Sequence, residues 1–356
     1  HAHKILEKDV VLLRPVKDPE RSFLSFPLKR GQSVQTHQGA IKHEDIISKS
    51  VREVVSSSKD ILFRVHWPST DEYVTKVRRL VTPIYPQDAA TIVSLLDLHV
   101  SPPPHPEDKS PRPPPLEILE AGTGHGSLTI ALAKAIHAAN PPPLDAPSSH
   151  SSPTRAQPTP PHTESPVTLD TRSAIIHTLD ISSSHSSHAK TVIANFRRGM
   201  YLPHISFHTG TPTTFLESQF AQRSGTSTPS PFLTIILLDL PSPELYLKAS
   251  QHAMHSDGLL GIFCPSITQI ADVVKAIKQQ KLLFALERCV ELPNNGGVRS
   301  WDVRMVKIRN QQCGGEEGAE DAGEGGMEVG DDLKMVCRPK VGGMVVGGGF
   351  FALFRR

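Results

Sequence analysis

Along this 356-residue chain the spacing of apolar side chains changes character near residue 68. Before that point the apolar runs are short: Val10-Val11-Leu12-Leu13, Phe23-Leu24-Ser25-Phe26, Ser33-Val34-Gln35-Thr36 and Ile61-Leu62-Phe63-Arg64-Val65. Gly31, Gly39 and Ser56-Ser57-Ser58 punctuate them. Brief runs between turn formers read as strands, so residues 1–68 are expected to form a small all-β domain. Residues 69–356 are expected to form a second, larger one. It opens on a helical stretch from Thr70, with Asp71 and Glu72 in the first turn, where acids complement the helix dipole. Tyr85-Pro86-Gln87-Asp88 leads into a second amphipathic helix over Ala89 to Leu98. Strand and helix patterns then alternate. The spacing predicts strands at 116–120, 174–180, 204–208, 232–239 and 258–264, and helices at 127–138, 185–199, 243–254 and 267–280. Two last strands are expected at 299–309 and 345–355. Alternation of this kind builds an α/β fold, a parallel sheet with helices on both faces, which a final antiparallel hairpin completes.

Composition interrupts that pattern four times. Hydrophobic content is only 38%, and 32 prolines account for much of the deficit. Seventeen of them crowd into 102–115 and 141–166, stretches that cannot be helix or sheet interior. Insertions are therefore expected near 101–115, 140–172, 221–231 and 311–332, the last rich in glycine and acids, and all four are expected to be mobile spacers. Cys264, Cys289, Cys313 and Cys337 lie more than twenty residues apart, without the close pairs of a zinc or redox motif. Reduced thiols suit an intracellular compartment. A net charge of +2 neither demands nor excludes an RNA partner. No apolar run approaches the roughly 20 residues of a membrane span. The chain opens on His1, so no targeting peptide is readable from it.

Candidate chemistry begins with Leu116-Glu-Ile-Leu-Glu-Ala-Gly-Thr-Gly-His-Gly-Ser-Leu-Thr129. A strand ends in an acid, a glycine turn follows, and a helix starts. Such a turn brings backbone N–H groups close to a ligand at the carboxyl edge of a parallel sheet. The Gly-x-Gly-x-Gly spacing differs from the dinucleotide fingerprint and counts against NAD. A generic nucleotide or structural glycine turn stays open. Asp180 ends the next strand, where an acid accepts both ribose hydroxyls of a nucleoside or caps the following helix. Phe232-Leu-Thr-Ile-Ile-Leu-Leu-Asp239 puts a second carboxylate at a strand tip, either at the floor of a site or as a helix cap. A carboxylate there accepts an exocyclic amino group, more strongly once the adjacent ring becomes cationic.

An acid before Gly122, Gly124 and Gly126 resembles motif I of class I S-adenosylmethionine-dependent methyltransferases. A wider set narrows this: Tyr85-Pro86-Gln87-Asp88, Glu120-Ala-Gly-Thr-Gly-His-Gly-Ser127, Leu238-Asp239-Leu-Pro-Ser-Pro243, Cys264-Pro-Ser-Ile-Thr-Gln269 and Trp301-Asp-Val-Arg304. Together with Gly39-Ala-Ile-Lys-His-Glu-Asp-Ile-Ile47, it resembles the tRNA adenine-58 N1-methyltransferase family, catalytic subunit, over most of the chain. The resemblance implies a Rossmann-like seven-stranded sheet behind a small β-domain that helps hold tRNA. It implies methyl transfer from S-adenosylmethionine to ring nitrogen 1 of adenosine 58, with no metal and no membrane. By the same resemblance, Asp239 is the catalytic aspartate and also borders the cofactor. Ile84, Glu120, Gly122, Gly124, His125, Gly126, Ser127, Leu128, Asp180 and Gly210 contact the cofactor. Tyr85 and Trp301 meet the adenine and tRNA, though core aromatics fit the same positions.

The chain departs from the family pattern in places. His125 replaces a commoner small residue, Asp180 is a methylene shorter than the usual Glu, and His208-Thr209-Gly210 lacks an acid. Relatives form homotetramers or pair with a non-catalytic subunit. The 82–88 segment looks bacterial in type and the Pro/Ser inserts look fungal, which suggests a mitochondrial, otherwise nuclear, enzyme. Three other readings remain. They are a non-catalytic RNA-binding subunit of the same fold, an organellar assembly factor, and a small-molecule methyltransferase.

Overall fold

The computed structural model describes residues 4–102, 113–140, 172–223, 230–292, 301–307, 333–339 and 348–356. Most of the expected insertions, 311–332 entirely, fall outside the described residues, as does Cys313.

Turn formers and short apolar runs give the first strands: β1 (Leu12–Pro15), β2 (Phe23–Leu24), β3 (Ser33–Thr36), β4 (Gly39–Lys42), β5 (Val54–Ser56) and β6 (Leu62–His66), with the one-turn α1 (His43–Ile46) after β4. They build an antiparallel sheet in the order β2-β1-β6-β5 and a β3-β4 hairpin. Val11, Leu13, Ile41, Phe63 and Val65 are fully buried between them. Gly39, read as punctuation in the sequence, opens β4, and Ser56 closes β5. Helix α2 (Thr70–Lys76) starts at a capping box, Ser69 with Glu72, and α3 (Pro86–Leu95) carries its proline in the first turn, where no N–H is missed.

The remaining elements follow in order: β7 (Leu116–Ala121), α4 (Ser127–Ala135), β8 (Ala174–Asp180), α5 (Ser183–Asn195), β9 (Ile205–Thr209), α6 (Pro212–Arg223), β10 (Leu233–Leu238), α7 (Leu247–Ala253), β11 (Met254–Cys264), α8 (Ile267–Gln279), β12 (Ala285–Leu292), β13 (Trp301–Lys307), β14 (Leu333–Pro339) and β15 (Gly349–Arg355). Seven strands form one sheet, β12-β15-β11-β10-β7-β8-β9. Strands β7 to β11 run parallel, and β15 is antiparallel to both its neighbours. Alternate residues of β10 go to opposite faces, the period of two that any strand imposes. Ile235 and Leu237 pack under α2 to α5, Ile236 and Leu238 under α6 to α8. Each such side chain contributes roughly 1.5–3 kcal/mol by leaving water.

Two expectations need correction. Residues 299–309 were expected to complete the sheet beside 345–355. The partner of β15 is instead β12, and β13 pairs with β14 in a separate two-stranded ladder. Glu287, Arg288 and Glu291 are exposed on β12, the edge strand, where charge is tolerated and discourages further pairing. Helix α6 was also unexpected, since its end falls in the supposed 221–231 insertion. It persists to Arg223 because that guanidinium holds both oxygens of buried Glu117 at 2.8 and 2.7 Å.

The N-terminal sheet is fastened to the end of α5. Arg197 and Arg198 take left-handed conformations, φ 44° and 60°, just before Gly199. From there Arg198 donates to both oxygens of buried Asp9 at 2.7 Å, donates to the Lys4 carbonyl at 2.9 Å and covers the Trp67 ring. Arg197 reaches the Pro68 carbonyl at 3.3 Å, and the Tyr73 hydroxyl donates to the Val192 carbonyl at 2.7 Å.

Candidate active site

Parallel strands expose their carboxyl ends on one edge, and there β7, β8 and β10 bring their terminal residues together. Gly122 donates its N–H to Leu179 at 2.8 Å, and Asp239 donates its own to Ala121 at 2.8 Å. The crossing is so tight that a Cβ on Gly122 (φ 109°) would lie 2.0 Å from the Asp239 carbonyl oxygen. Only glycine fits. Gly126 (φ 83°) faces α5, where a Cβ would meet that of Ala189 at 3.2 Å. Gly124 donates its N–H to Asp180 Oδ2 at 2.9 Å, and Ser182 donates its N–H to Asp180 Oδ1 at 2.8 Å. Ser182, not Asp180, caps α5, and the helical turn after Pro241 starts from Ser242, not Asp239. Neither carboxylate is a helix cap.

A cavity of about 350 Å³ opens above this turn, lined by Gly122, Asp180, Gly210, Asp239, Leu240 and Tyr246 among others. A second, of about 450 Å³, lies on the other side and includes Ile84, Tyr85, Asp88, Asp239, Glu291 and Phe350. Asp239 belongs to both. Burial, with the neighbouring Asp180 carboxylate adding to it, pushes its pKa up to about 7. The charge is therefore costly until something cationic or hydrogen-bonding arrives.

The other expected residues sit around this pair of cavities with different roles. Glu120 lines neither. It lies beneath the turn, where Thr129 and Thr178 donate to Oε2 at 2.6 and 2.8 Å, and burial lifts its pKa to about 7. The Leu128 side chain goes into the apolar core under α4. The Ser127 hydroxyl donates to the Ile84 carbonyl and so ties the 82–85 segment to the turn. The Tyr85 hydroxyl accepts from Arg79 at 3.0 Å. The His125 ring is 2% exposed and lies tilted against His188, with ring centroids 5.4 Å apart. Neither of its nitrogens finds a partner among the described residues, and burial drives its pKa down to about 4, so it is neutral. Trp301 begins β13, in the ladder apart from the central sheet, and its side chain lies outside the described residues. Asp88, Glu291, Phe350 and Tyr246 were not singled out as site residues in the sequence. Asp88 stood inside a quoted motif, whereas Glu291 sits on the strand the pattern did not reveal. Among the described residues no group of three His, Cys, Asp or Glu is placed to hold a metal, and no helix is long and apolar enough to cross a membrane.

Known proteins give this geometry a context. The chain is 27% identical over 296 residues, 83% of its length and 89% of the relative's, to tRNA (adenine(58)-N(1))-methyltransferase TrmI of Thermus thermophilus. A second strain's enzyme matches to the same extent. The chain is homologous to TrmI. TrmI of Aquifex aeolicus shares the fold, with a TM-score of 0.54 at 15% identity over 99% of this chain and 98% of that one. So does a SAM-dependent O-methyltransferase of Thermotoga maritima, with a TM-score of 0.60 at 14% identity over 100% and 98%. The fold is thus that of the Rossmann-like methyltransferases. No family model matches the chain.

Proposed function

We propose that this TrmI homologue is an S-adenosylmethionine-dependent enzyme that methylates ring nitrogen 1 of adenosine 58 in the T-loop of tRNA. One observation carries the reading: a single carboxylate, Asp239, is shared by a cofactor-sized cavity and a separate, more acidic one. The groups present suit the cofactor. The close approach that only Gly122 permits leaves no side chain at that point of the lining, and Asp180 lines the same cavity. Each Asp180 oxygen accepts one backbone N–H. A carboxylate offers about four lone-pair sites, so capacity for ribose hydroxyls remains. S-adenosylmethionine, when bound, supplies an electrophilic methyl group on a sulfonium.

The chain itself supplies position and charge. The second cavity takes a base turned out of its stack, and Tyr85 and Phe350 give it aromatic surface. Asp239, ionised, accepts the exocyclic amino group of that base. As the ring gains positive charge the bond becomes charge-assisted, so the carboxylate favours the transition state over the substrate. Tight positioning of two reactants provides the rest. On the same reading the N-terminal sheet contacts tRNA, and the chain works as a homotetramer or beside a non-catalytic subunit.

The test is incubation of the purified chain with labelled S-adenosylmethionine and bulk tRNA, followed by mapping of the modified base. Label at position 58 supports the proposal. Label elsewhere refutes it, and no label excludes a chain that works without a partner subunit. Asp239→Ala is expected to bind S-adenosylhomocysteine and to lose turnover.

A further inference from the structure

We propose that His208 is a positioning residue for the first cavity, bracing its wall through a buried chain of side chains that opens when it takes up a second proton. This rests on the methyl-transfer reading above for the name of the ligand. Gly210, Thr211 and Pro212 line that cavity and lead from β9 into α6. Strand β9 is at the edge of the sheet and is bonded to β8 alone, so its end has one neighbour in the ladder. Side chains supply the rest. His208 Nε2 lies 3.1 Å from His177 Nδ1, and His177 Nε2 lies 3.0 Å from Glu117 Oε2. Arg223, the last residue of α6, donates to both Glu117 oxygens. Phe215, one turn into that helix, packs its ring on both imidazoles, with centroids 4.6 Å from His208 and 5.5 Å from His177. At the near end, the Thr211 hydroxyl accepts from the Thr214 N–H at 3.2 Å, and the Thr214 hydroxyl accepts from the Thr211 N–H at 3.0 Å. The cavity wall, α6 and strands β7 to β9 are thus one connected unit.

The geometry limits how many protons this unit can hold. Burial would raise the Glu117 carboxyl, but the bonds from His177 and Arg223 hold it below its ordinary value, so it is ionised and accepts from His177 Nε2. Between His177 Nδ1 and His208 Nε2 there is room for one hydrogen. A neutral pair supplies it, and so does a pair with one added proton. A second added proton sets two N–H groups and two positive charges against each other. The other ionisable groups facing the pair are Glu117, Arg223 and Arg172, which donates to the Ser206 hydroxyl at 3.1 Å, and Phe215 brings no charge. Burial, with the His177 and Arg172 charges adding to it, pushes the His208 pKa down to about 4, against an ordinary value of 6.5. The closed chain is therefore fully favoured above pH 6.5 and loses ground as pH falls toward 4. From pH 7.5 to 5 the balance moves toward the open chain about 30-fold.

Glutamine at 208 keeps an N–H donor and takes up no proton, whereas leucine offers no donor at all. The experiment measures S-adenosylhomocysteine affinity by calorimetry and hydrogen exchange of residues 210–223, at pH 7.5 and pH 5, for the wild type, His208→Gln and His208→Leu. Between the two pH values the wild type is expected to lose about fivefold more affinity than His208→Gln, and to lose protection in 210–223 that the glutamine variant keeps. At pH 7.5 those two are expected to bind within about threefold of each other, and His208→Leu about fivefold more weakly. Titration of Asp239 and Glu120 is common to all three proteins and cancels in the comparison. The same pH response in the wild type and His208→Gln overturns the proposal. So does wild-type affinity in His208→Leu at pH 7.5, and so do equal losses there in both variants, which would make the imidazole shape the requirement. Should His208→Leu not fold, the wild type and His208→Gln decide between them. A wild type that binds no S-adenosylhomocysteine sinks the functional reading, and hydrogen exchange then decides alone: protection lost at pH 5 in the wild type only supports the brace, and equal protection overturns it.

Discussion

The two cavities that share Asp239 are built in opposite ways. The first gathers residues at the tips of neighbouring parallel strands, with a glycine at 122 where a side chain would collide and a mainly apolar lining that includes Leu179, Ile181, Leu240 and Tyr246. The second draws side chains from 82–88, 263–265, 291 and 348–350. The floor of the first tolerates no added atom at Gly122, where two backbone segments cross. A side-chain cavity is adjustable, and its shape depends on tethers such as Ser127 to Ile84. Division of labour follows: an invariant ligand suits the first, a folded polymer presenting one base suits the second.

The largest effect should come from filling the first. Gly122→Val drives a side chain into the Asp239 carbonyl and demands a φ that valine avoids. Affinity for S-adenosylhomocysteine is expected to fall at least about 100-fold and stability by about 3 kcal/mol. Calorimetry and urea unfolding read both, and a normal isotherm would break the contrast between the cavities.

Asp239 tests the shared wall. Its carboxyl must be ionised to accept an amino group, and its pKa in the free protein is raised to about 7. The active form therefore prevails above that value and is lost as pH falls through it. The ratio kcat/KM should drop about tenfold from its plateau by pH 6. Asp239→Asn should give a flat profile about 100-fold lower. An unchanged inflection in that variant would assign the titration to another group.

A smaller change should reveal whether the cavities are coupled. Ser127→Ala removes the hydroxyl that holds Ile84, at a cost of about 1 kcal/mol. Both the cofactor-product affinity and KM for tRNA should shift about fivefold. If only one moves, the tether does not connect the two. Tyr85→Phe is the mildest case. It forfeits an exposed hydrogen bond from Arg79, so KM for tRNA should rise about two- to threefold while calorimetry stays unchanged.

The same contrast explains what was legible in the sequence. The strand-turn-helix around Gly122 is contiguous, and its glycines answer a backbone demand that no other residue meets, so it stood out. Asp239 stood out as an acid ending an apolar run. Side-chain direction was not legible. Glu120 turns toward Thr129 and Thr178, Leu128 goes into the core, and neither lines a cavity. Strand β12 was hidden because an exposed edge needs no apolar alternation. Helix α6 buries Pro212, Phe215, Leu216 and Gln219 at helical spacing, but with a proline and a glutamine among them the stripe is only two apolar residues wide in the sequence. Asp88, Glu291 and Phe350 meet only because β15 is inserted between β11 and β12, a topological fact with no local signature. Trp301 was grouped with the site by resemblance, and its side chain lies outside the described residues.

The run of left-handed residues at the end of α5 bears on how the molecule can be dissected. Asp9 and Arg198 form an ion pair across the seam between the small sheet and the large one. Excising the first 68 residues would leave a guanidinium without its counter-ion, strip the indole from beneath it and free two arginines from the strained pose they now hold. A shortened version of this protein is thus a damaged core rather than a minimal enzyme, and the small sheet is better regarded as part of the foundation than as an accessory.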